Sequence, residues 1–136
     1  MPAAGPRVCV RDGFTVIAVY GELDVSTVAE TARALSACAA SGVRIIVNLA
    51  GLTFADCGSL RSVLSVRDQA RRAGGDLVLA APQPLVVRVL RLTGLIDLCP
   101  VFATAQEAAH DLTRFRDEAP PVASPAQGAR LRRASA

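Results

Sequence analysis

The stretch 44-RIIVNLAGLTFADCGSL-60 decides how this chain folds. Arg44–Ala50 is a nearly continuous apolar run, the pattern of a strand covered on both faces of its sheet. FADCGSL then breaks that pattern. Asp56 suits a helix N-cap and Gly58 allows a tight turn. Beyond it, Leu60, Val63, Leu64 and Ala70 fall on one stripe at helical spacing, with Arg61, Arg67, Asp68, Arg71 and Arg72 left to solvent. A buried strand feeding an amphipathic helix is half of a βαβ unit.

The flanks continue the alternation. Upstream, Arg7–Asp12 and Phe14–Tyr20 are β-rich runs, and Asp12-Gly13 between them reads as a hairpin turn. Gly21–Asp24 (GELD) reads as a loop. Thr27 and Glu30 then fit a capping box for a helix carrying Val28, Ala32, Leu35 and Ala39 inward, and Gly42 suits its C′ position. Downstream, Gly74-Gly75 stops the second helix and Asp76–Ala81 reads as a further buried strand. Pro84 suits the first position of a short helix with Val86, Val89 and Leu90 inward, which Gly94 ends. Val101–Thr104 reads as a short strand. Thr104 and Glu107 form a second capping box before a helix that buries Ala108, Leu112 and Phe115. No internal repeat is present.

The order β-hairpin, α, β, α, β, α, β, α implies one α/β domain with a mixed sheet: parallel strands joined by crossovers, plus an antiparallel hairpin strand. The expected boundaries are a flexible N-terminus (1–6), the domain (7–116) and a disordered basic tail (117–136). The tail is rich in Pro, Ala and Ser and poor in large apolar residues.

Composition narrows the function. Apolar residues make up 51% of the 136, enough for a core, but aromatic residues only 4%, with no Trp. Stacking platforms for single-stranded nucleic acid are therefore nearly missing. The net charge of +3 comes from fifteen arginines against twelve acids. Three of those arginines, Arg130, Arg132 and Arg133, lie in the last seven residues. Basic charge thus speaks weakly for nucleic acid, and none is expected as a partner. No signal-peptide pattern and no run of 18 apolar residues occurs, so neither secretion nor direct membrane insertion is expected. Cys9, Cys38, Cys57 and Cys99 are scattered, without a C-x-x-C pair. Reduced cytosolic thiols are expected, with no disulfide framework, metal site or cofactor.

FADCGSL is placed at the carboxyl end of a strand, where open α/β sheets present functional groups. The amides of the helix start are partly positive there, so a phosphate on a nearby hydroxyl would be well received. Ser59 is one candidate hydroxyl, although local pattern alone favours a first-turn residue with a solvating role. Cys57 at a helix N-terminus is a candidate reactive thiol for a redox sensor or thiol enzyme. The only histidine, His110, lies far away in sequence, and no phosphate-binding glycine loop or paired carboxylates suggest catalysis. Arg132-Arg133-Ala134-Ser135 matches a short basophilic-kinase pattern, for which a solvated basic tail is the plainer account.

Five motifs in order, GELD (21–24), VNLAGLTFAD (47–56), CGSL (57–60), GGDLVLAAP (74–82) and VLRLTGL (89–95), resemble the STAS domain, and more closely the bacterial anti-sigma factor antagonists. The resemblance spans roughly Arg7 to Arg116. It implies a regulatory binding module and not an enzyme. The implied partner is an anti-sigma factor that is also a serine kinase with a Bergerat-type ATP site, and phosphorylation of one antagonist serine breaks the complex. Carried over, Glu22, Asp24, Asp56, Cys57, Gly58, Ser59, Leu60 and Arg61 would form the partner-binding surface.

The family loop usually runs Asp, Ser or Cys, the phosphorylated Ser or Thr, then Gly-Leu. Asp56, Cys57 and Leu60 match. Gly58 occupies the acceptor's place and Ser59 the glycine's. Either Ser59 is a shifted acceptor, about 100° around the helix, or phospho-control is altered or lost. A second implied role, since STAS-like domains also accompany transporters, is a scaffold subunit of a transport or stress-sensing complex. The oligomeric state is left open.

Overall fold

The structure, a computed structural model, describes residues 5–11 and 13–117, with side chains up to residue 112. The predicted tail, Ser135 included, lies outside the described residues apart from Asp117, and so do Met1–Ala4 of the predicted N-terminus. Asp12, the first residue of the predicted hairpin turn, and the side chain of Phe115 lie outside them too.

The described residues form six strands and four helices in the order β1 (Gly5–Arg11), β2 (Phe14–Leu23), α1 (Val28–Ala40), β3 (Arg44–Asn48), β4 (Leu52–Ala55), α2 (Cys57–Arg72), β5 (Asp76–Ala80), α3 (Pro84–Leu92), β6 (Val101–Phe102) and α4 (Ala105–Asp117). A 3-10 turn over Leu95–Asp97 follows α3. β1 and β2 pair antiparallel as a hairpin, and the remaining pairs are parallel. The main sheet runs β1-β2-β3-β5-β6, with β4 attached to β2 beside it. The predicted α/β domain with a mixed sheet is the fold observed.

Its two faces bury separate cores. One gathers Ile17, Val19, Ile45, Val47, Leu77 and Leu79 of the sheet with the inner stripes of α1, α2 and α3. The other sets Ile46, Val78, Ala80 and Phe102 against Ala108 and Leu112 of α4. Alternate residues of β3 thus enter opposite cores, as a doubly covered strand requires. Leu60, Val63, Leu64 and Ala70 are all buried. Deleting any one of the larger side chains to Ala would cost about 2–5 kcal/mol.

Several local expectations change. GELD is not a loop: Gly21, Glu22 and Leu23 belong to β2, because β4 supplies their hydrogen-bond partners. The strand expected over 44–50 ends at Asn48, and a turn at 49–51 leads into β4. Gly5 and Pro6 are already strand, and α4 runs through Asp117. Thr27 is positioned at the α1 N-cap yet its side chain makes no cap bond. Its hydroxyl instead accepts from the Asp24 amide (2.9 Å) and donates to the Glu22 carbonyl (2.8 Å), closing the end of β2. The second box is half made, with the Glu107 amide donating to Thr104 Oγ1 at 3.0 Å. Gly42 does adopt the expected positive φ, +73°.

Arg67 departs furthest from expectation. Helical spacing puts it on the wet face of α2, yet it is only 8% exposed. Its Nε meets Asp76 Oδ1 at 2.9 Å and its Nη1 donates to the Leu98 carbonyl at 3.2 Å. Removing one partner of a buried pair leaves the other charge uncompensated. Arg67→Ala should therefore lower the unfolding free energy by about 3 kcal/mol, seen as a lower denaturant midpoint. An unchanged midpoint would show the pair to be solvated.

Beside this pair, Cys99 is fully enclosed and its thiol donates to the Leu77 carbonyl at 3.3 Å. Burial pushes its pKa from the ordinary 9.0 up to about 12; Arg67 draws it down slightly and Asp76 raises it. Above pH 9 the unfolded thiol loses its proton while the native one keeps it, so the unfolded state binds fewer protons and stability falls. The loss should approach 1.4 kcal/mol per pH unit, at about 25 °C, between roughly pH 9 and 12. Below pH 9 this thiol contributes no pH dependence. Stability curves of wild type and Cys99→Ala should converge across that window, and parallel curves would refute the assignment.

Candidate functional site

The carboxyl ends of β2 and β4 lie side by side, with the start of α2 directly after β4. Leu23 and Ala55 are ladder partners, as are Glu22 and Phe54. The Asp56 amide donates to the Leu23 carbonyl at 3.1 Å, so pairing extends up to the helix cap. Two sequence motifs more than thirty residues apart, GELD and FADC, become one surface through this pairing.

Each acid stabilises a turn. Asp56 caps α2: its backbone is extended (φ −89°, ψ 166°) and its Oδ1 accepts from the Ser59 amide at 2.7 Å. Asp24 Oδ1 accepts from the Ser26 amide (2.9 Å) and hydroxyl (2.7 Å), an Asx turn ahead of α1. The Ser26 hydroxyl and amide, with a smaller share from Thr27, hold the Asp24 carboxyl below the usual carboxylate range. Both acids are thus engaged by backbone amides while their elements face solvent.

The predicted site residues separate by exposure. Glu22, Gly58 and Arg61 face solvent, and Asp24, Asp56 and Cys57 are half-buried. Ser59 is 3% exposed and Leu60 1%, both turned into the core. In this conformation their side chains are withdrawn from the surface on which Glu22, Gly58 and Arg61 lie. The physical reason is helical phase: the first apolar stripe residue of α2 is Leu60, and Ser59 sits on its flank. Of the first-turn residues Gly58 is exposed and Cys57 half-buried. A Cβ built on Gly58 meets nothing nearer than Asp56 Oδ1 at 3.8 Å, so the place is open.

Cys57 leans on the core shared by α1, α2 and α3, whereas the exposed His110 lies on α4, across the sheet. No Cys–His pair forms between them. Among the described residues no three His, Cys, Asp or Glu side chains are grouped to hold a metal ion, and no helix is long and apolar enough to cross a membrane.

Three apolar side chains at the same end escaped the sequence reading. Val25 is 87% exposed in the β2–α1 turn, Phe54 42% on β4 and Leu85 48% at the start of α3, which packs against β4. Val25, a large aliphatic residue between two turn formers, was the legible signal. Phe54 was hidden by the unrecognised strand. Exposed apolar groups beside a polar turn are typical of protein-binding surfaces.

The Asp56 cap fixes where α2 begins. Asp56→Ala should destabilise the protein by about 1 kcal/mol, and Asp56→Asn by much less, because Asn also accepts from the Ser59 amide. Thermal melts of the two variants test this, and equal losses would mean that charge, not capping, matters.

The sequence profile of the STAS domain matches residues 6–108. BtrV of Bordetella bronchiseptica, named as an anti-sigma factor antagonist, is 30% identical over 99 residues, 72% of this chain and 84% of its own length. A crystal structure of an anti-sigma factor antagonist from Mycobacterium paratuberculosis superposes with a TM-score of 0.73 at 24% identity, covering 79% of this chain and 92% of that one. The unphosphorylated anti-sigma factor antagonist SpoIIAA superposes with a TM-score of 0.65 at 26% identity, covering 87% of this chain and all of its own, and Bacillus SpoIIAA is also known in a phosphorylated form. With three quarters of its length matching the family profile, and with the fold of these relatives, the chain belongs to the STAS domain family.

Proposed function

We propose that this protein is an anti-sigma factor antagonist that captures a kinase-type anti-sigma factor in the cytosol and so frees a sigma factor. The capture surface is the carboxyl end of β2 and β4 with the first turns of α2. Glu22 and Arg61 supply exposed charge there, Asp24 and Asp56 hold the turns, and Val25 and Phe54 add apolar contact. The likeness to BtrV and SpoIIAA supports the general role.

The single observation that carries the finer reading is the pairing of an exposed Gly58 with a buried Ser59. The one first-turn position open to a kinase has no hydroxyl, and the adjacent hydroxyl is turned inward. First-turn phosphorylation therefore does not release this protein, and capture through the turn does not depend on the phosphorylation state of Ser59.

The test is recovery of the tagged full chain from its own cells, followed by binding measurements with the anti-sigma factor that comes with it. Gly58→Ser restores a hydroxyl in open space. It should be phosphorylated by that partner in the presence of ATP, and the modified variant should bind at least tenfold more weakly because about two negative charges enter the interface. Wild type should carry no phosphate at Ser59. Recovery of transporter or scaffold proteins without any anti-sigma factor would overturn the reading.

A further inference from the structure

We infer that a cleft at the amino ends of β2 and β3, at the pole of the sheet opposite the proposed capture surface, binds a small organic phosphomonoester. The cleft has a volume of about 360 Å³ and opens between the β1–β2 turn and the start of β3. Small-molecule sites fall in this size range. Strand register sets its floor. Arg11 pairs with Phe14, and Thr15 pairs with Ile45, so Phe14 stands level with Arg44. Arg11, Phe14 and Arg44 thus lie side by side on β1, β2 and β3, and all three line the cleft. Neighbouring strands are about 4.8 Å apart, which starts the two arginines about 10 Å from each other with an aromatic residue between them. Their long side chains can close that gap on a single anion.

The charges favour an anion there. Among the described residues no acidic side chain lines the cleft, and neither arginine has a carboxylate partner. Arg67 shows the contrast, since Asp76 and the Leu98 carbonyl hold it inside the fold. Arg44 Nη1 donates to the Leu112 carbonyl at 3.0 Å, which steadies the guanidinium and leaves further N–H groups to give. Arg11 is exposed. The chain leaves α1 and α2 beside the cleft, at Gly42 and Gly74. Each helix end carries about half a negative charge. The two whole charges of the arginines outweigh these, and α2 adds Arg71 and Arg72 in its last turn.

A third group converges on the same space. Thr15 is 4% exposed and lines the cleft, and its hydroxyl forms no hydrogen bond among the described residues. A buried hydroxyl without a partner is costly, and a ligand oxygen would supply one. The charge of a phosphomonoester, about −1.5 to −2 at pH 7, matches two arginines, and its oxygens accept from the guanidinium fork two at a time. Val10, Phe14 and Val43 provide apolar wall, which suits an organic body on the phosphate better than a bare ion.

The experiment titrates the isotope-labelled full chain with phenyl phosphate and, separately, with inorganic phosphate, following backbone amide shifts and measuring affinity by calorimetry. Phenyl phosphate should saturate one site with a Kd of about 1 mM or below, with the largest shifts at the Gly13, Gly42 and Gly74 amides. Inorganic phosphate should bind about tenfold more weakly, for want of the buried ring. Arg11→Gln should weaken phenyl phosphate about tenfold, the scale of one hydrogen bond to a charged group, and Thr15→Val by a smaller factor. Arg88→Gln, an equally exposed arginine on α3, should leave affinity unchanged. Thermal melts of Arg11→Gln and Arg88→Gln should match wild type. Absence of saturation, equal affinity for inorganic phosphate, shifts centred on Gly58, or full affinity in Arg11→Gln would each overturn the inference. None of these results bears on capture of an anti-sigma factor at the other pole.

Discussion

The upper half of β2 must find hydrogen-bond partners, and the way it does so arranges everything above the sheet. Thr15–Ala18 pair with β3, but β3 ends at Asn48, while β2 continues to Leu23. Unpaired strand amides and carbonyls away from water are costly. β4 meets that need: the Gly21 amide bonds to the Gly51 carbonyl (2.9 Å), and the Leu23 carbonyl accepts from Asp56. Within the β2–β4 pairing the register shifts between Gly21 and Glu22, and Gly21 takes a positive φ of 81°. The turn after β2 and the cap of α2 are thereby held side by side without any direct bond between Asp24 and Asp56 having to form.

The sequence made the repeating physics legible and the exceptions illegible. Continuous apolar runs located β3 and β5, and the Leu60, Val63, Leu64 and Ala70 stripe located the inner face of α2. Gly42 and Pro84 marked real boundaries because each has a conformational reason to be where it is. β4 was not legible. Four residues of mixed polarity have no clear period, and its identity as a strand depends on a partner thirty residues away. Arg67 was misread because periodicity treats every arginine as wet, whereas a long side chain can be withdrawn to meet Asp76. Thr27 satisfied a capping pattern yet served the strand behind it, a choice between two nearby sets of backbone groups that no spacing rule encodes.

The site followed the same division. Motif order brought the right two segments into view, since Asp24 and Asp56 both sit where their turns need an acceptor. Which side chains point outward was set by the phase of α2 against the core, and a single step along the helix exchanges a buried residue for an exposed one. That is why Gly58 and Ser59, adjacent in sequence, have opposite surroundings. The apolar component, Val25 and Phe54, depended on β4 and became visible only with the fold.

The two ends of α2 are held very differently. At its foot, a Cβ on Gly75 would come far inside contact distance of the Val43 carbonyl, so the chain turns there with no space to spare, and Arg67 ties the helix to Asp76 and to the backbone at Leu98. At its head there is one side-chain cap and an unobstructed glycine. Yet Leu60 in that first turn is fully buried, so the head is seated by packing where the foot is tied by charge. The exposed glycine between them is the one place at the head where a side chain could be added without disturbing either hold.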